Sequence, residues 1–597
     1  MALTTPGVDF LIYLFISLCI PGCLVKALFW SLGLPCSPLF LVLLCICSLP
    51  SYIIFKVQST ERAHRREAAA AGGRLVPRVQ GRLLGNFDQL TTLVGKWLNG
   101  YPGDGFQDLV DEYGAAVNTR VLWTDSVFSC SPEYTKLILA SGFENYVKGE
   151  RFQQALGSVL GSGVFNSDGD MWKFHRSMTR PFFTRDRITH FHLFDRHAEK
   201  VLKKLRDRME AGIAIDFQDL MSRFTMDVTT DFLFNQCVDS LSSPLPFPHN
   251  SGKGNGSTPQ IHTRADEFSA AFTNALQLVA ERERYGSIWP LYEITHDKVI
   301  GPMKIVKSFI EPIVREAVQK KAIRDSMNKN DKLFASSPNS KIDDDVTLLD
   351  HLVELTSDPV ILRDEILNIM IAGRDTITST LTFTIYLLCN HPEVAARLRG
   401  EILDQVGATA LPSFEQVKDM KYLRAVINET LRLFPPVPFN VRECVNGTLW
   451  PSPDPNDKPL YLPAGTKTPY SVMMMQRRKD LWGPDADIFD PDRWLDERNQ
   501  KYFLANPLIF LPFNAGPRIC LGQLFAYNEM SILLIRLLQN FSSFNLELDA
   551  FPPGTLPPPR WAKEGGRKAI EKIRPKVHLT MYCHGGLWVR MQEPLSN

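Results

Sequence analysis

The chain has 597 residues, 44% of them hydrophobic and 22% charged, a composition that can pack a large core and excludes wholesale disorder. Its 66 basic and 65 acidic residues nearly cancel, to +1, without the clustered basic excess of a nucleic-acid binder. Eleven cysteines could build a disulfide scaffold, but Cys19, Cys23, Cys36, Cys45 and Cys47 lie in the apolar N-terminal region. The others (Cys130, Cys237, Cys389, Cys444, Cys520, Cys583) are scattered without a Cys-x-x-Cys pair. That pattern fits a reducing compartment and disfavours structural zinc, which wants ligands paired at short spacing.

Two apolar runs open the chain. Residues 10–30 are interrupted by Pro21, Gly22 and Lys26, whereas residues 39–57 are uninterrupted by charge until Lys56 and long enough to cross about 30 Å of hydrocarbon. Arg62, Arg65 and Arg66 follow, which favours a cytoplasmic position for that end. The total apolar length and the side on which the basic residues fall argue against a cleaved signal peptide. Residues 1–57 therefore read as a membrane anchor of one span or two, and residues 58–84, with Ala, Gly and Arg from 68 to 82, as a linker.

Residues 85–597 read as one continuous domain. Two polar, unperiodic stretches, 241–260 and 328–345, look like inserted surface loops. The first holds an Asn255-Gly-Ser sequon that a cytoplasmic face would leave unused. Helical periodicity is plain over 217–236, 265–284, 302–321 and 362–389, the last broken only by Gly373. A further helix over 419–434 stops before Pro435-Pro436, as helices do ahead of proline. Short strand-like pieces with Pro and Gly fill 437–475. The expected class is mainly α with small β-sheets, behind an N-terminal anchor.

The segment Phe513-Asn-Ala-Gly516-Pro-Arg518-Ile-Cys520-Leu-Gly522 carries the clearest chemistry. A lone Cys beside Gly is usually buried filler, but here Phe, Gly, Arg and Gly sit at offsets that suit a thiolate ligand of haem iron. Such a thiolate pushes electron density onto iron and favours O–O cleavage, and it needs donors near the sulfur and shelter from water. Glycines let backbone approach the macrocycle closely; Phe513 can cover the sulfur, and Arg518 can pair with a propionate.

On these residues the sequence resembles the cytochrome P450 family, whose cysteine loop follows Phe-x-x-Gly-x-Arg-x-Cys-x-Gly. The resemblance extends from the anchor to about residue 590 and implies haem b, with Cys520 as the axial ligand. In that family a Glu-x-x-Arg pair, here Glu429 and Arg432, meets an Arg from a Pro-x-Arg-aromatic segment, here Arg493, and braces the cysteine loop. As an isolated i, i+3 pair it would mean little. The family also places a Thr over the iron, here Thr376 within Ala372-Gly373-Arg374-Asp375-Thr376. A Thr in a helix can bond the carbonyl four residues back and open the ladder beside Gly. Thr376 and Asp375 are then expected to relay protons to the oxygen being activated. Trp172 and Arg176, at i and i+4, match the family's propionate donors, and Arg442 a further one. His175, between them, reads as a structural histidine. One departure is Gln476, where many members carry His; it lies outside the chemistry and bears on local packing.

The runs Asn440-Val-Arg-Glu443 and Trp482-Gly-Pro-Asp-Ala-Asp-Ile-Phe489 are most similar to fungal membrane-bound enzymes that oxidise terminal carbons of long alkanes and fatty acids. The resemblance implies Val437, Phe439, Ile371 and Ala372 as substrate-side residues. Ile288, Trp289 and Leu291 read either as a bilayer-dipping entrance or as plain core. It further implies O2 as co-substrate, electrons from NADPH through a separate reductase carrying FAD and FMN, and the endoplasmic reticulum membrane with the catalytic domain in the cytoplasm. A haem-thiolate peroxygenase, dehydratase or isomerase would be expected to lack the Asp375-Thr376 pair. A non-enzymatic membrane haem protein is the third reading, since haem binding alone does not dictate activity.

Overall fold

In the computed structural model, which describes residues 5–183, 191–252, 263–328 and 347–594, each apolar run becomes a helix that opens on a proline. There the missing N–H has no partner to lose. Helix α1 covers Pro6–Ser31 and α2 covers Pro38–Ala70, and both are long and apolar enough to cross a membrane. Pro21 and Pro50 lie within them without ending them, as prolines do in apolar helices whose neighbours make good the lost bond. The two form a hairpin with the Phe29 and Phe40 rings 6.2 Å apart.

The linker expected over 58–84 is mostly folded. Helix α2 runs on to Ala70, and Arg74–Leu75 pairs in parallel with Leu460–Leu462. Glu61 forms ion pairs with Arg78 and, at 3.0 Å, with Arg120. The physical reason is propensity: Ala, Glu and Arg are strong helix formers, and extending an existing helix avoids the cost of a new nucleus.

The helices expected over 217–236, 265–284, 302–321, 362–389 and 419–434 appear with shifted ends. Taking first α3 at Gly169–Thr179, they are α4 Phe217–Phe234, α5 Arg264–Tyr285, α6 Ile300–Asn328, α7 Pro359–Asn390 and α8 Lys421–Leu433, followed by α9 Gln523–Asn540. Caps set the differences. The Asp358 carboxylate accepts the Val360 and Ile361 amides at 2.8 and 3.4 Å, so α7 starts at the proline between them. Thr263 and Asp266 close a capping box on α5. Asn235, in the left-handed region at φ 51°, ends α4.

Helix α7 threads the molecule: every residue from Ile377 to Leu388 is buried, and each fully buried large aliphatic there is worth about 1.5–3 kcal/mol. Of the strand-like pieces after Pro436, Phe439–Cys444 and Lys467–Ser471 join a five-stranded sheet in the order Ala116–Asn118, Val127–Ser129, Lys467–Ser471, Phe439–Cys444, Tyr146–Val147, while Thr448–Trp450 and Leu460–Leu462 form a three-stranded sheet with Arg74–Leu75. Asn440 faces Tyr470 and Arg442 faces Thr468 across it. Near the C-terminus, Pro575–Val577 and Met581–Cys583 pair as an antiparallel hairpin. Of the two expected insertions, residues 253–262 (with the Asn255 sequon) and 329–346 lie outside the described residues. The start of the first is tied down, since Asp227 accepts the Ser240 and Leu241 amides at 2.7 and 3.0 Å.

Candidate functional site

The cysteine loop lies between a short turn, Gly516–Arg518, and α9. The Cys520 amide donates to the Phe513 carbonyl at 2.9 Å and closes it. Gly516 has φ 67°, and a Cβ there would collide with the Leu139 carbonyl. Its glycine is therefore demanded by protein backbone, a reason the sequence did not offer. Gly522 is less constrained, the nearest atoms to an added Cβ being Phe183 Cε1 at 3.8 Å and Cys520 Sγ at 4.0 Å. The Cys520 side chain is exposed, but to an internal cavity. Burial deep in the molecule pushes its thiol up, against the Gly522 amide and the Arg176 charge, which pull it down. A coordinated metal reverses that balance and deprotonates the thiol.

The cavity has a volume of about 980 Å³, at the upper end of the roughly 300–1,000 Å³ of small-molecule sites. Cys520, Phe513 and Gly522 of the cysteine loop line it together with Ile371, Ala372, Gly373 and Thr376 of α7 and with Val437 and Phe439. The Thr376 hydroxyl donates to the Ala372 carbonyl at 2.6 Å, as expected, yet α7 remains an unbroken helix through this turn. Gly373 serves close packing instead: a Cβ would stand 2.8 Å from the Thr229 hydroxyl of α4.

Asp375 is not among the cavity-lining residues, and its carboxylate lies 3.3 Å from the Arg374 guanidinium. Thr376 and Ile377 beside it do line the cavity, and Asp375 bears on it electrostatically through His578, which also lines it.

Cations crowd the cysteine end. Arg518 and Arg176 line the cavity together with Lys148. Arg518 is bonded to Asp168 at 2.7 Å and sits 4.6 Å over the Trp172 ring. Trp172 itself is not among the lining residues, and its ring lies under the Arg518 guanidinium. Arg442 is also behind the wall, its guanidinium bonded to Asn440 Oδ1 at 2.9 Å and the Val441 carbonyl at 2.7 Å. Burial, then Arg442 and Arg518, push Lys148 well below the usual lysine range. Burial and Arg442 likewise bring Arg518 down to about 10. Among the described residues, Asp168 is the one carboxylate bonded to Arg518. The cluster is short of negative charge, and two propionates beside a cysteine sulfur would supply it. The residues fit haem b.

Behind the loop, the Glu429 side chain is fully buried and takes both Arg432 Nε and Nη2 at 2.8 Å. It also accepts the Trp494 indole at 3.0 Å, the Asp490 amide at 3.1 Å and Arg493 Nε at 3.4 Å. Burial alone would raise this carboxyl; Arg432 and Arg493 win and hold it below the usual carboxylate range. Gln476 joins the brace. Its amide nitrogen donates to the Leu431 and Arg432 carbonyls at 2.9 and 3.0 Å, and its oxygen accepts the Leu511 amide at 2.9 Å. Two donors and an acceptor are used at once, which a neutral imidazole could not match. His175 is fully buried, 2.7 Å from Glu365, and not part of the lining.

Sequence reasoning missed Lys148, Thr229 and His578. The Thr229 hydroxyl is buried beside Gly373 without a hydrogen-bond partner. His578, in the turn of the C-terminal hairpin, also lines the cavity. Its Nδ1 accepts the Leu579 and Thr580 amides at 2.8 and 3.3 Å, and burial holds the ring below the ordinary histidine range against the pull of Asp375. With Nδ1 accepting two amides, the ring proton belongs on Nε2. No motif marks these three, because each comes from a different element.

A haem-thiolate site in a mainly helical fold defines the class, and the comparison with known proteins agrees. Residues 82–557 match the family model Cytochrome P450. Cytochrome P450 monooxygenase pvhE of Talaromyces variabilis is 33% identical over 502 residues, covering 80% of this chain and 82% of the relative. Cytochrome P450 52E1 of Candida apicola is 37% identical over 415 residues, covering 69% and 74%. Cytochrome P450 52-M1 of Starmerella bombicola is 36% identical over 437 residues, covering 71% and 77%. The chain belongs to the cytochrome P450 family; it is a monooxygenase that binds haem b through a cysteine thiolate.

Proposed function

We propose that the protein inserts one oxygen atom from O2 into a C–H bond of a long-chain fatty acid or alkane. Electrons come from NADPH through a separate FAD- and FMN-containing reductase. The observation that carries this reading is the cavity: one and the same space is lined by Cys520, by Ile371, Val437, Phe439 and Trp97, and by Phe10 of the N-terminal helix. A lining shared by the cysteine loop and a membrane helix suits an extended apolar chain with one end at the haem. The membrane hairpin supports a bilayer-dissolved substrate, and we assign the protein to the endoplasmic reticulum membrane with its catalytic domain in the cytoplasm.

In this reading Cys520 would ligate the haem iron, and haem would supply the oxygen-activating chemistry. Arg518, Arg176 and Lys148 would hold the propionates, Trp172 and Arg442 would set the orientation and charge of that cluster, and Phe513 would shelter the sulfur. Thr376 holds a proton against the Ala372 carbonyl and can turn it into the cavity. Glu429, Arg432 and Arg493 keep the cysteine loop in place. Saturable shifts of the Soret band on titration with fatty acids and alkanes of increasing length test the substrate class. Binding that tightens with chain length supports it; a response only to compact polycyclic compounds contradicts it.

A further inference from the structure

Only Gly7 and Gly22 of helix α1 are buried, and each marks a close contact. A Cβ on Gly22 would collide with Cys45 Sγ of α2, so the hairpin is tightly closed. A Cβ on Gly7 would lie 2.6 Å from both Ile294 Cα and the Pro290 carbonyl. The first turn of α1 therefore rests directly on Gly286–Glu293, the short helical stretch between α5 and α6. Thr5 caps α1 and donates its hydroxyl to the Ile294 carbonyl at 2.6 Å. Phe10, three residues beyond Gly7 and so on the same face, lines the catalytic cavity beside Trp289 and Pro290. The surface around this contact is apolar and open, with Leu291 38%, Ile294 41% and Ile300 65% exposed.

We propose that the first membrane helix is part of the substrate site: Phe10 walls the far mouth of the cavity and selects the chains that enter from the lipid between α1 and Gly286–Glu293. The inference rests on the long-chain reading above. It makes the anchor a specificity element and puts the N-terminus on the same side of the bilayer as the catalytic domain. Trp289 joins this mouth, while Leu291 faces outward.

The test uses the full-length holoenzyme in phospholipid nanodiscs. A photoreactive benzophenone side chain introduced at position 10 should cross-link to the 286–300 peptide, and palmitic acid should protect against it. Phe10→Ala and Gly7→Leu should each raise KM for palmitic acid about 10-fold, the scale of one lost aromatic contact, with kcat and the carbon-monoxide spectrum unchanged. Phe15→Ala, on the open face of the same helix at 66% exposure, should match wild type. Absence of the cross-link, or an unchanged KM in both Phe10→Ala and Gly7→Leu, would overturn the proposal. A cross-link in the position-10 variant, beside a wild-type enzyme that oxidises no long chain, would support the helix contact and sink the substrate reading instead.

Discussion

Lys148 illustrates what single residues contribute here. Its ammonium faces the cavity with Arg518 and Arg442 as neighbours, and burial with their charge pushes it well down. An anion bound against it removes that penalty, so Lys148→Met should cost haem retention rather than folding. A charged hydrogen bond of about 1.5–3 kcal/mol corresponds to roughly 10–100-fold faster haem transfer to an acceptor such as apomyoglobin; an unchanged rate would place the propionates elsewhere. In the proposed function Thr376 belongs to the reaction itself. Thr376→Ala should keep haem, substrate binding and reduction, while NADPH is consumed, peroxide accumulates and product falls, and added peroxide should partly restore product. Positioned proton transfer contributes about 10²–10⁴-fold, so the ratio of NADPH used to product formed should change severalfold or more. An equal ratio would make Thr376 a helix residue only. Cys520 and Thr376 were legible in the sequence because their motifs are contiguous; Lys148, Thr229 and His578 were not, because folding alone assembles them. The pairing of Asp375 with Arg374 was not legible either, because the direction of a side chain is set by the fold around it.

Among elements, α8 and the segment before the cysteine loop stand or fall together. Glu429→Ala leaves Arg432 charged and fully buried, a change of about 3–5 kcal/mol, so little haem-loaded protein should be recovered; abundant holoenzyme of near-normal stability would contradict this. Gln476→Ala frees two carbonyls and the Leu511 amide and should lower stability by about 1–3 kcal/mol in denaturant titration. The Glu429 carboxyl is held below its unfolded value, so the folded state binds its proton less readily. Its contribution is complete above the unfolded carboxylate range and is lost as pH falls through the depressed folded value. Acid unfolding of wild type should therefore steepen in that lower range, and Glu429→Gln should flatten it. Helix positions were readable from periodicity, but their ends were set by side chains such as Asp358 and Thr263, whose capping only the backbone geometry reveals.

At the scale of the whole molecule, the anchor and the catalytic domain are joined more firmly than composition implied. The stretch read as a linker continues α2, adds a strand beside Leu460–Leu462, and places Glu61 against Arg78 and Arg120. Truncation after residue 57 should leave a stable catalytic domain, whereas truncation after residue 72 should lower its melting temperature, because it removes Glu61; equal melting temperatures would mean those ion pairs contribute nothing. The central claim is that Cys520 supplies the thiolate. Its most direct test is the spectrum of the reduced carbon-monoxide complex of wild type and Cys520→Ser. Wild type should give the red-shifted Soret band that thiolate ligation produces, and Cys520→Ser, folded and loaded with haem, should lack it; a variant that keeps the band would show that another residue ligates the iron.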